Sequence, residues 1–105
     1  MLTGQQIDAL IVKIVERCRP ELIYLFGSYA KGTATSRSDL DILVVKNTEL
    51  PSNMRIASLT PLVANRVVPV DLHMVTPEEF SEYGQDPHSF LGTVLRSGKL
   101  VYQRA

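Results

Sequence analysis

The N-terminal segment has apolar residues at the three- and four-residue spacing that places them on one side of an α-helix. Thr3 and Gln6 are spaced as a capping box, in which each side chain binds the backbone N–H of the other residue. Pro20 cannot continue a helix, because it has no N–H and its ring clashes with the preceding turn. The pattern therefore predicts a first helix that begins after Thr3 and runs to about Arg19.

Four short apolar runs predict β-strands. Leu22–Phe26 is apolar on both faces, which is typical of a central strand. Asp39–Lys46 is the second predicted strand, and Val67–Val75 alternates apolar and polar residues as a half-buried strand does. Pro69 has no N–H to donate, so the third strand is expected at an edge or with a local irregularity. Lys99–Tyr102 is predicted to close the sheet.

The other segments predict short helices. Ser52–Arg66 contains an internal proline, which favours two helical pieces, the second with Thr60 as its cap. Thr76 opens a second capping box, followed by proline at the first helical position, and predicts another short helix. A further helix is expected to begin at Asp86 and to end at Gly98. Its predicted buried stripe consists of Phe90, Leu91, Val94 and Leu95.

Length and composition limit the classes of function. The 105 residues are enough for one hydrophobic core, so we expect a single domain over residues 1–105. Acidic and basic residues balance at 11 each, which leaves no overall positive field for a nucleic-acid backbone. Nucleic acid is therefore not the expected partner, and template-directed polymerisation is not the expected activity.

The cellular setting is inferred from three features. Cys18 is the one cysteine, so no intrachain disulfide can form, and it lies on the apolar stripe of the first helix as a small buried hydrophobe would. No apolar run approaches the length that spans a membrane. The N-terminus lacks a basic region followed by an apolar run. We therefore expect a cytoplasmic protein without a membrane attachment.

Two carboxylates open the second strand. Asp39 and Asp41 point to the same side, because successive side chains of a strand alternate between faces. Neighbouring carboxylates repel, and Mg²⁺ relieves the repulsion while keeping positions open for substrate phosphates. The simpler alternative is a pair of solvated residues at the start of a strand. Asp71 and His73 lie on the polar face of the third strand, opposite its apolar face. Asp71 is the predicted third carboxylate ligand, and His73 is expected to be a bystander near the site.

A phosphate site is expected beside these carboxylates. Gly27 lets the backbone approach an anion closely, and Ser28 offers a hydroxyl and an N–H. Lys31 and Arg37 are the two cations of the polar segment that follows. Either of them could meet triphosphate oxygens or point into solvent. The first hypothesis is therefore chemistry on a metal-bound phosphate.

Gly27-Ser28, ten intervening residues and Asp39-x-Asp41 resemble the signature of the nucleotidyltransferase superfamily typified by DNA polymerase beta. The flanking Gly-Ser-Tyr-Ala-Lys-Gly and Ser-Asp-Leu-Asp-Ile-Leu-Val, in so short a chain, resemble its minimal nucleotidyltransferase (MNT) group. The resemblance implies a polymerase beta-like nucleotidyltransferase fold. This fold is α/β, or α+β in some schemes, with a small mixed β-sheet and helices packed on one face.

The resemblance also implies an Mg²⁺-dependent nucleotidyltransferase that uses ATP. Asp39 and Asp41 would bridge two Mg²⁺ ions, and Asp71 would hold the ion that activates the attacking hydroxyl. These three aspartates are the predicted catalytic and metal-binding residues. The predicted nucleotide-binding residues are Gly27, Ser28, Lys31 and Arg37.

MNT proteins are commonly encoded beside a small helical HEPN ribonuclease and act as its antitoxin. The resemblance implies a protein adenylyltransferase that transfers AMP to a tyrosine of such a HEPN partner. Two alternatives stay open. One is a binding-only antitoxin with weak or absent catalysis. The other is a transferase for a small molecule or an RNA end, with its acceptor pocket formed by a homodimer.

Overall fold

The computed structural model describes residues 1–64 and 68–105. This part of the chain contains four strands and the helices around them. The strands are β1 (Leu22–Phe26), β2 (Leu40–Val45), β3 (Val70–Val75) and β4 (Lys99–Gln103). The helices are α1 (Gly4–Cys18), α2 (Ser28–Lys31), α3 (Thr60–Val63), α4 (Pro77–Tyr83) and α5 (Phe90–Ser97), with a 3₁₀ turn at Ser52–Met54.

The strands form one mixed sheet in the order β3-β2-β1-β4. β1 is antiparallel to β2 and to β4, whereas β2 and β3 are parallel. The apolar run of β1 is thus in a central strand, and β3 is at an edge, as its proline predicted. Pro69 supplies its carbonyl to the backbone N–H of Leu40 at 3.0 Å although it has no N–H to donate. Val67, the predicted start of this strand, lies outside the described residues.

α1 and α3 cover one face of the sheet, where the larger core lies. Thr3 and Gln6 form the predicted capping box, with N···O distances of 2.8 and 3.1 Å. The helix ends at Cys18, and Arg19 turns into the left-handed region at φ 48° before Pro20. Cys18 is buried, and burial raises the pKa of its thiol, which suits an inert packing residue.

A smaller cluster lies on the opposite face. Leu43 of β2 is buried against Leu91 and Val94 of α5. Tyr24 of β1 packs against Phe80 of α4, with ring centroids 5.5 Å apart. The layer of helices that was expected on one face of the sheet consists of α1 and α3. On the opposite face, α4 and α5 form a partial second layer that was not expected. The physical reason is that β2 is apolar on both faces, so both must be covered.

α5 begins later than the sequence predicted. The Asp86 side chain accepts the backbone N–H of His88 at 2.9 Å, which holds this segment in a turn. Ser89 is the residue that caps the helix, accepting the N–H of Gly92 at 2.9 Å. A side chain that bonds its own local backbone competes with helix formation, so Asp86 lies in the turn and not at the cap.

The predicted stripe of α5 is only half buried. Leu91 and Val94 lie in the core, whereas Phe90 is 47% exposed and Leu95 is 40% exposed. A helix of eight residues presents one narrow face to the sheet, and these two side chains fall beside it.

The segment after β2 contains the two predicted helical pieces, the 3₁₀ turn and α3. Thr60 is the first residue of α3, and its hydroxyl donates to the carbonyl of Ile56 at 3.1 Å. Its predicted role as the cap is therefore wrong, because the hydroxyl is already bonded to the preceding turn. Arg66, the predicted end of this segment, lies outside the described residues. Within the described ranges, no helix has the length and apolar character needed to cross a membrane.

Candidate active site

Asp41 and Asp71 are paired across the parallel strands β2 and β3. Adjacent strands are about 4.8 Å apart, so the two carboxyl groups leave the sheet side by side. Asp39 immediately precedes β2 and has its side chain in solvent, whereas Asp41 is partly buried. The two strands thus bring the three sequence-predicted aspartates to one end of the sheet.

The pKa of Asp41 is shifted by its surroundings. Burial raises the pKa of the Asp41 carboxyl, and the negative charges of Asp71 and Asp39 raise this pKa further. A hydrogen bond between the Asp41 and Asp71 side chains also raises the pKa of Asp41, whereas the charge of His73 lowers it. The site therefore carries an excess of negative charge that a bound cation would relieve.

Gly27 lies directly against Asp41. β1 pairs Phe26 with Asp41, and the next residue, Gly27, turns the chain at φ 72°. A Cβ placed on Gly27 would meet the Asp41 carboxylate oxygen Oδ2 closer than real Cβ atoms approach such an atom. The backbone conformation at position 27 therefore favours glycine, and any side chain there would have to displace the Asp41 carboxylate.

The predicted nucleotide-binding residues follow this turn. Ser28 begins α2, which ends at Lys31 before Gly32 at φ 75°. Both Lys31 and Arg37 are exposed, and neither forms an ion pair within residues 1–64 and 68–105. The connection to β2 is held by its own side chains, because Ser38 Oγ accepts the N–H of Thr35 at 2.8 Å. The structure thus places Ser28 at the turn beside Asp41, with the two cations on the solvent side.

An aromatic cluster beside the carboxylates was not predicted. The His73 ring lies 5.6 Å from the Phe26 ring and 5.1 Å from the Phe90 ring, measured between centroids. Phe26 and Phe90 meet edge to face at 5.2 Å. The sequence placed His73 on the face of Asp71, and Phe26 directly precedes the glycine turn. The contribution of Phe90 depends on how α5 packs, which no local pattern reveals.

The donor set suits a hard divalent cation. Three carboxylates at one end of a sheet offer the oxygen ligands that Mg²⁺ prefers, and their repulsion favours a positive charge between them. In residues 1–64 and 68–105, no three His, Cys, Asp or Glu side chains are yet grouped closely enough to hold an ion. Charge and ligand chemistry therefore fit Mg²⁺, whereas the side-chain arrangement is not preset around one.

Comparison with known sequences decides the family. The family described as "Polymerase beta, Nucleotidyltransferase" matches residues 9–105. The chain belongs to the polymerase beta nucleotidyltransferase family. This nucleotidyltransferase is also 34% identical, over 86 residues, to a Methanocaldococcus jannaschii protein named putative protein adenylyltransferase. The match covers 82% of each chain.

Solved structures agree with this assignment. A crystal structure described as that of a "putative nucleotidyltransferase" from Sulfolobus solfataricus superposes with a TM-score of 0.66 at 20% identity, covering 93% of this chain and 78% of that one. A toxin–antitoxin structure with AMP-PNP gives 0.62 at 28% identity, covering 92% and 73%. A complex of a tri-AMPylated Shewanella oneidensis HEPN toxin with its MNT antitoxin gives 0.51 at 24% identity, covering 92% and 72%. The fold of this nucleotidyltransferase is thus that of the polymerase beta-like enzymes, and its structural neighbours include MNT antitoxins.

Proposed function

We propose that this nucleotidyltransferase transfers AMP from ATP to a tyrosine hydroxyl of a HEPN-type toxin and thereby acts as its antitoxin. The observation that carries the proposal is the pairing of Asp41 with Asp71 beside the Gly27-Ser28 turn, with the charge of Asp39 near enough to raise the pKa of Asp41. A cluster of carboxylates next to a glycine turn combines a cation site with a place for phosphates.

Asp39, Asp41 and Asp71 are the residues that would hold two Mg²⁺ ions. When bound, such ions neutralise phosphate charge and lower the pKa of a hydroxyl nucleophile. Asp41 suits this role because its charge is disfavoured until a cation is present. Asp71 is exposed and belongs to the edge strand β3, so it is open to a second molecule.

The triphosphate is assigned to the other side of the carboxylates. Gly27 keeps its backbone close to the Asp41 carboxylate, and Ser28 adds a hydroxyl at the same turn. Lys31 and Arg37 are exposed cations on the segment that follows, and we assign them to the outer phosphate oxygens. In the reaction, the acceptor oxygen bonds to the α-phosphorus and the α–β phosphoanhydride bond breaks. Pyrophosphate leaves, and positioning and charge neutralisation supply most of the rate.

The choice of nucleotide and partner rests on the relatives. The Methanocaldococcus jannaschii relative is named a putative protein adenylyltransferase, and one structural neighbour is a toxin–antitoxin structure with AMP-PNP. In a second neighbour, the HEPN toxin itself is AMPylated and bound to an MNT antitoxin. These comparisons support AMP as the transferred group and a HEPN toxin as the acceptor.

The test is a transfer assay with α-labelled ATP, Mg²⁺ and the protein encoded next to this chain. The wild-type protein is expected to label that partner, and Asp39→Asn/Asp41→Asn is expected to reduce labelling at least a thousandfold, since the phosphate charge is no longer neutralised. A matched control is Asp8→Asn/Glu16→Gln, which removes two exposed carboxylates from α1 and should leave labelling unchanged.

The outcomes separate the alternatives. If the wild type and Asp39→Asn/Asp41→Asn suppress the toxicity of the partner equally, the protein is a binding-only antitoxin. Labelling of a small molecule or an RNA end, with an unlabelled partner, identifies a transferase with another acceptor. A partner variant in which the modified tyrosine is replaced by phenylalanine should not be labelled.

A further inference from the structure

A second charged site lies at the end of the sheet opposite to the carboxylates. The antiparallel pairing of β1 and β2 places Asp41 beside Phe26 at one end and Val45 beside Leu22 at the other, roughly 13 Å away along the strands. At that far end a cavity of about 550 Å³ opens to solvent. Its lining residues include four basic side chains, Arg17, Arg19, Lys46 and Arg104, and one acidic side chain, Glu21.

The backbone around this cavity is tied together. The N–H of Glu21 donates to the carbonyl of Val45 at 2.8 Å, and the N–H of Arg104 donates to the carbonyl of Glu21 at 2.9 Å. Arg19 occupies the left-handed region at φ 48° immediately after α1. The starts and ends of three strands and the end of a helix therefore set where the basic side chains emerge.

Two of the four cations have a structural explanation. Lys46 Nζ donates to the carbonyl of Cys18 at 2.6 Å and so satisfies the C-terminal end of α1. Arg17 lies in the last turn of the same helix, where a cation interacts favourably with the negative end of the helix dipole. These roles do not extend to Arg19, which lies beyond the helix, or to Arg104, which follows β4.

The remaining charge is poorly compensated. Arg104 reaches Glu21 at 3.5 Å, but both side chains are well exposed, so this pair is weak. Within the part of the chain that the structure describes, neither Arg17 nor Arg19 forms a hydrogen bond or an ion pair through its side chain. Four cations against one carboxylate leave a formal excess of three positive charges in one cavity, in a chain whose net charge is zero.

We propose that this cavity is a second ligand site, which binds a small phosphate-bearing anion. Guanidinium groups pair with phosphate oxygens through two parallel hydrogen bonds, and three arginines line the cavity. The cavity volume is in the range that holds a molecule from pyrophosphate to a nucleotide. The site is separate from the carboxylates, and the proposal does not depend on which acceptor the enzyme uses. A macromolecular phosphate backbone is disfavoured by the balanced overall charge of the chain.

The test is a titration of the full-length protein followed by NMR of backbone amides and arginine side chains, in metal-depleted buffer without chelator. Without divalent cations the carboxylate end repels phosphates, so binding there is suppressed. Pyrophosphate should bind with a Kd below about 1 mM and shift the signals of Arg19, Lys46 and Arg104. A parallel titration with ADP distinguishes the two sources of phosphate. ADP binding ten times more tightly than pyrophosphate identifies a nucleotide site, and equal affinity identifies recognition of the phosphates alone.

The deciding variants change Arg19 and Arg104, the two cations that do not act on the C-terminal end of α1. Arg19→Gln/Arg104→Gln should weaken pyrophosphate binding at least tenfold. The matched control, Arg96→Gln/Lys99→Gln, removes two exposed cations outside the cavity and should change affinity less than threefold. Thermal melts verify that both double variants are folded. The proposal is overturned if wild-type signals do not shift at 5 mM pyrophosphate, if the shifts map to another surface, or if both double variants weaken binding equally.

Discussion

Gly27 lies so close to Asp41 that any side chain at position 27 would collide with the Asp41 carboxylate. The contact joins the turn assigned to the triphosphate with the carboxylates assigned to the cations, so the two halves of the site share one boundary. A glycine at this point keeps the carboxylate in place and the backbone near the substrate at the same time.

Gly27→Ala is therefore expected to abolish nucleotide transfer. The added methyl group must displace the Asp41 carboxylate, and alanine at φ 72° and ψ −154° also strains the backbone by about 3 kcal/mol. Gly32→Ala is the matched control, since Gly32 has φ 75° but no atom within 4 Å of the added Cβ. Gly27→Ala should lose more stability than Gly32→Ala in urea denaturation, because Gly27 at φ 72° and ψ −154° has a conformation open essentially to glycine alone, whereas Gly32 at φ 75° and ψ 17° lies in the left-handed helical region. Only Gly27→Ala should lose transfer, by at least a hundredfold; equal losses of transfer would show that the collision with Asp41 does not matter.

Asp41→Asn is expected to stabilise the metal-free protein. Because the folded state raises the pKa of Asp41 above its ordinary value of 3.8, its ionised form opposes folding at neutral pH, and this cost disappears as the pH falls. Removing the charge should raise the melting temperature at pH 7 by up to about 4 °C. Added Mg²⁺ should raise the melting temperature of the wild type and not of the variant. Asp8→Asn, on the exposed side of α1, should change neither quantity.

Arg55 and Glu79 connect the segment after β2 to the start of α4. Arg55 Nη1 donates to Glu79 Oε1 at 2.6 Å, and the side chains are 10% and 34% exposed. The same carboxylate accepts the N–H of Thr76 at 2.9 Å in the capping box. The backbone hydrogen bond from Thr76 and then the bond from Arg55 hold the pKa of Glu79 below its usual value.

Stability from Glu79 is thus present above its unfolded pKa and is lost as the pH falls through the lower folded value. Glu79→Gln keeps the capping acceptor and loses the ion pair, so it should cost about 1 kcal/mol at pH 7. Urea denaturation of both proteins at pH 7 and pH 3 is the measurement, and the difference should shrink at pH 3. A difference that stays constant with pH would mean that the ion pair does not stabilise the fold.

Truncation of Phe90 and truncation of Leu91, the first two residues of α5, should differ strongly in their effect on stability. Leu91 is buried against Leu43 and Val94, so Leu91→Ala should cost about 2 to 4 kcal/mol through the cavity it leaves. Phe90 is 47% exposed, and Phe90→Ala should cost less than about 1.5 kcal/mol. Chemical denaturation compares the two. Similar costs would indicate that Phe90 is buried, as the hydrophobic stripe alone predicted.

Local patterns predicted the elements well. The capping boxes at Thr3 and Thr76, the stop before Pro20 and the apolar run Leu22–Phe26 each depend on residues close in sequence, and the structure confirms them. The start of α5 at Ser89 instead of Asp86 was missed, because both residues are good caps and only the turn at residues 86–88 chooses between them. The exposure of Phe90 also depended on packing that a hydrophobic stripe does not specify.

For the site, the sequence alone predicted which residues carry the chemistry, from the spacing of Gly27-Ser28 and Asp39-x-Asp41 and from the face of the third strand on which Asp71 lies. The tertiary structure decided that Asp71 pairs with Asp41 and that Gly27 touches the Asp41 carboxylate. It also brought Phe90 to His73, and Arg19 and Arg104 to one cavity. Periodicity assigns a side chain to a face, but the register between strands far apart in the chain is set by burial of the whole core.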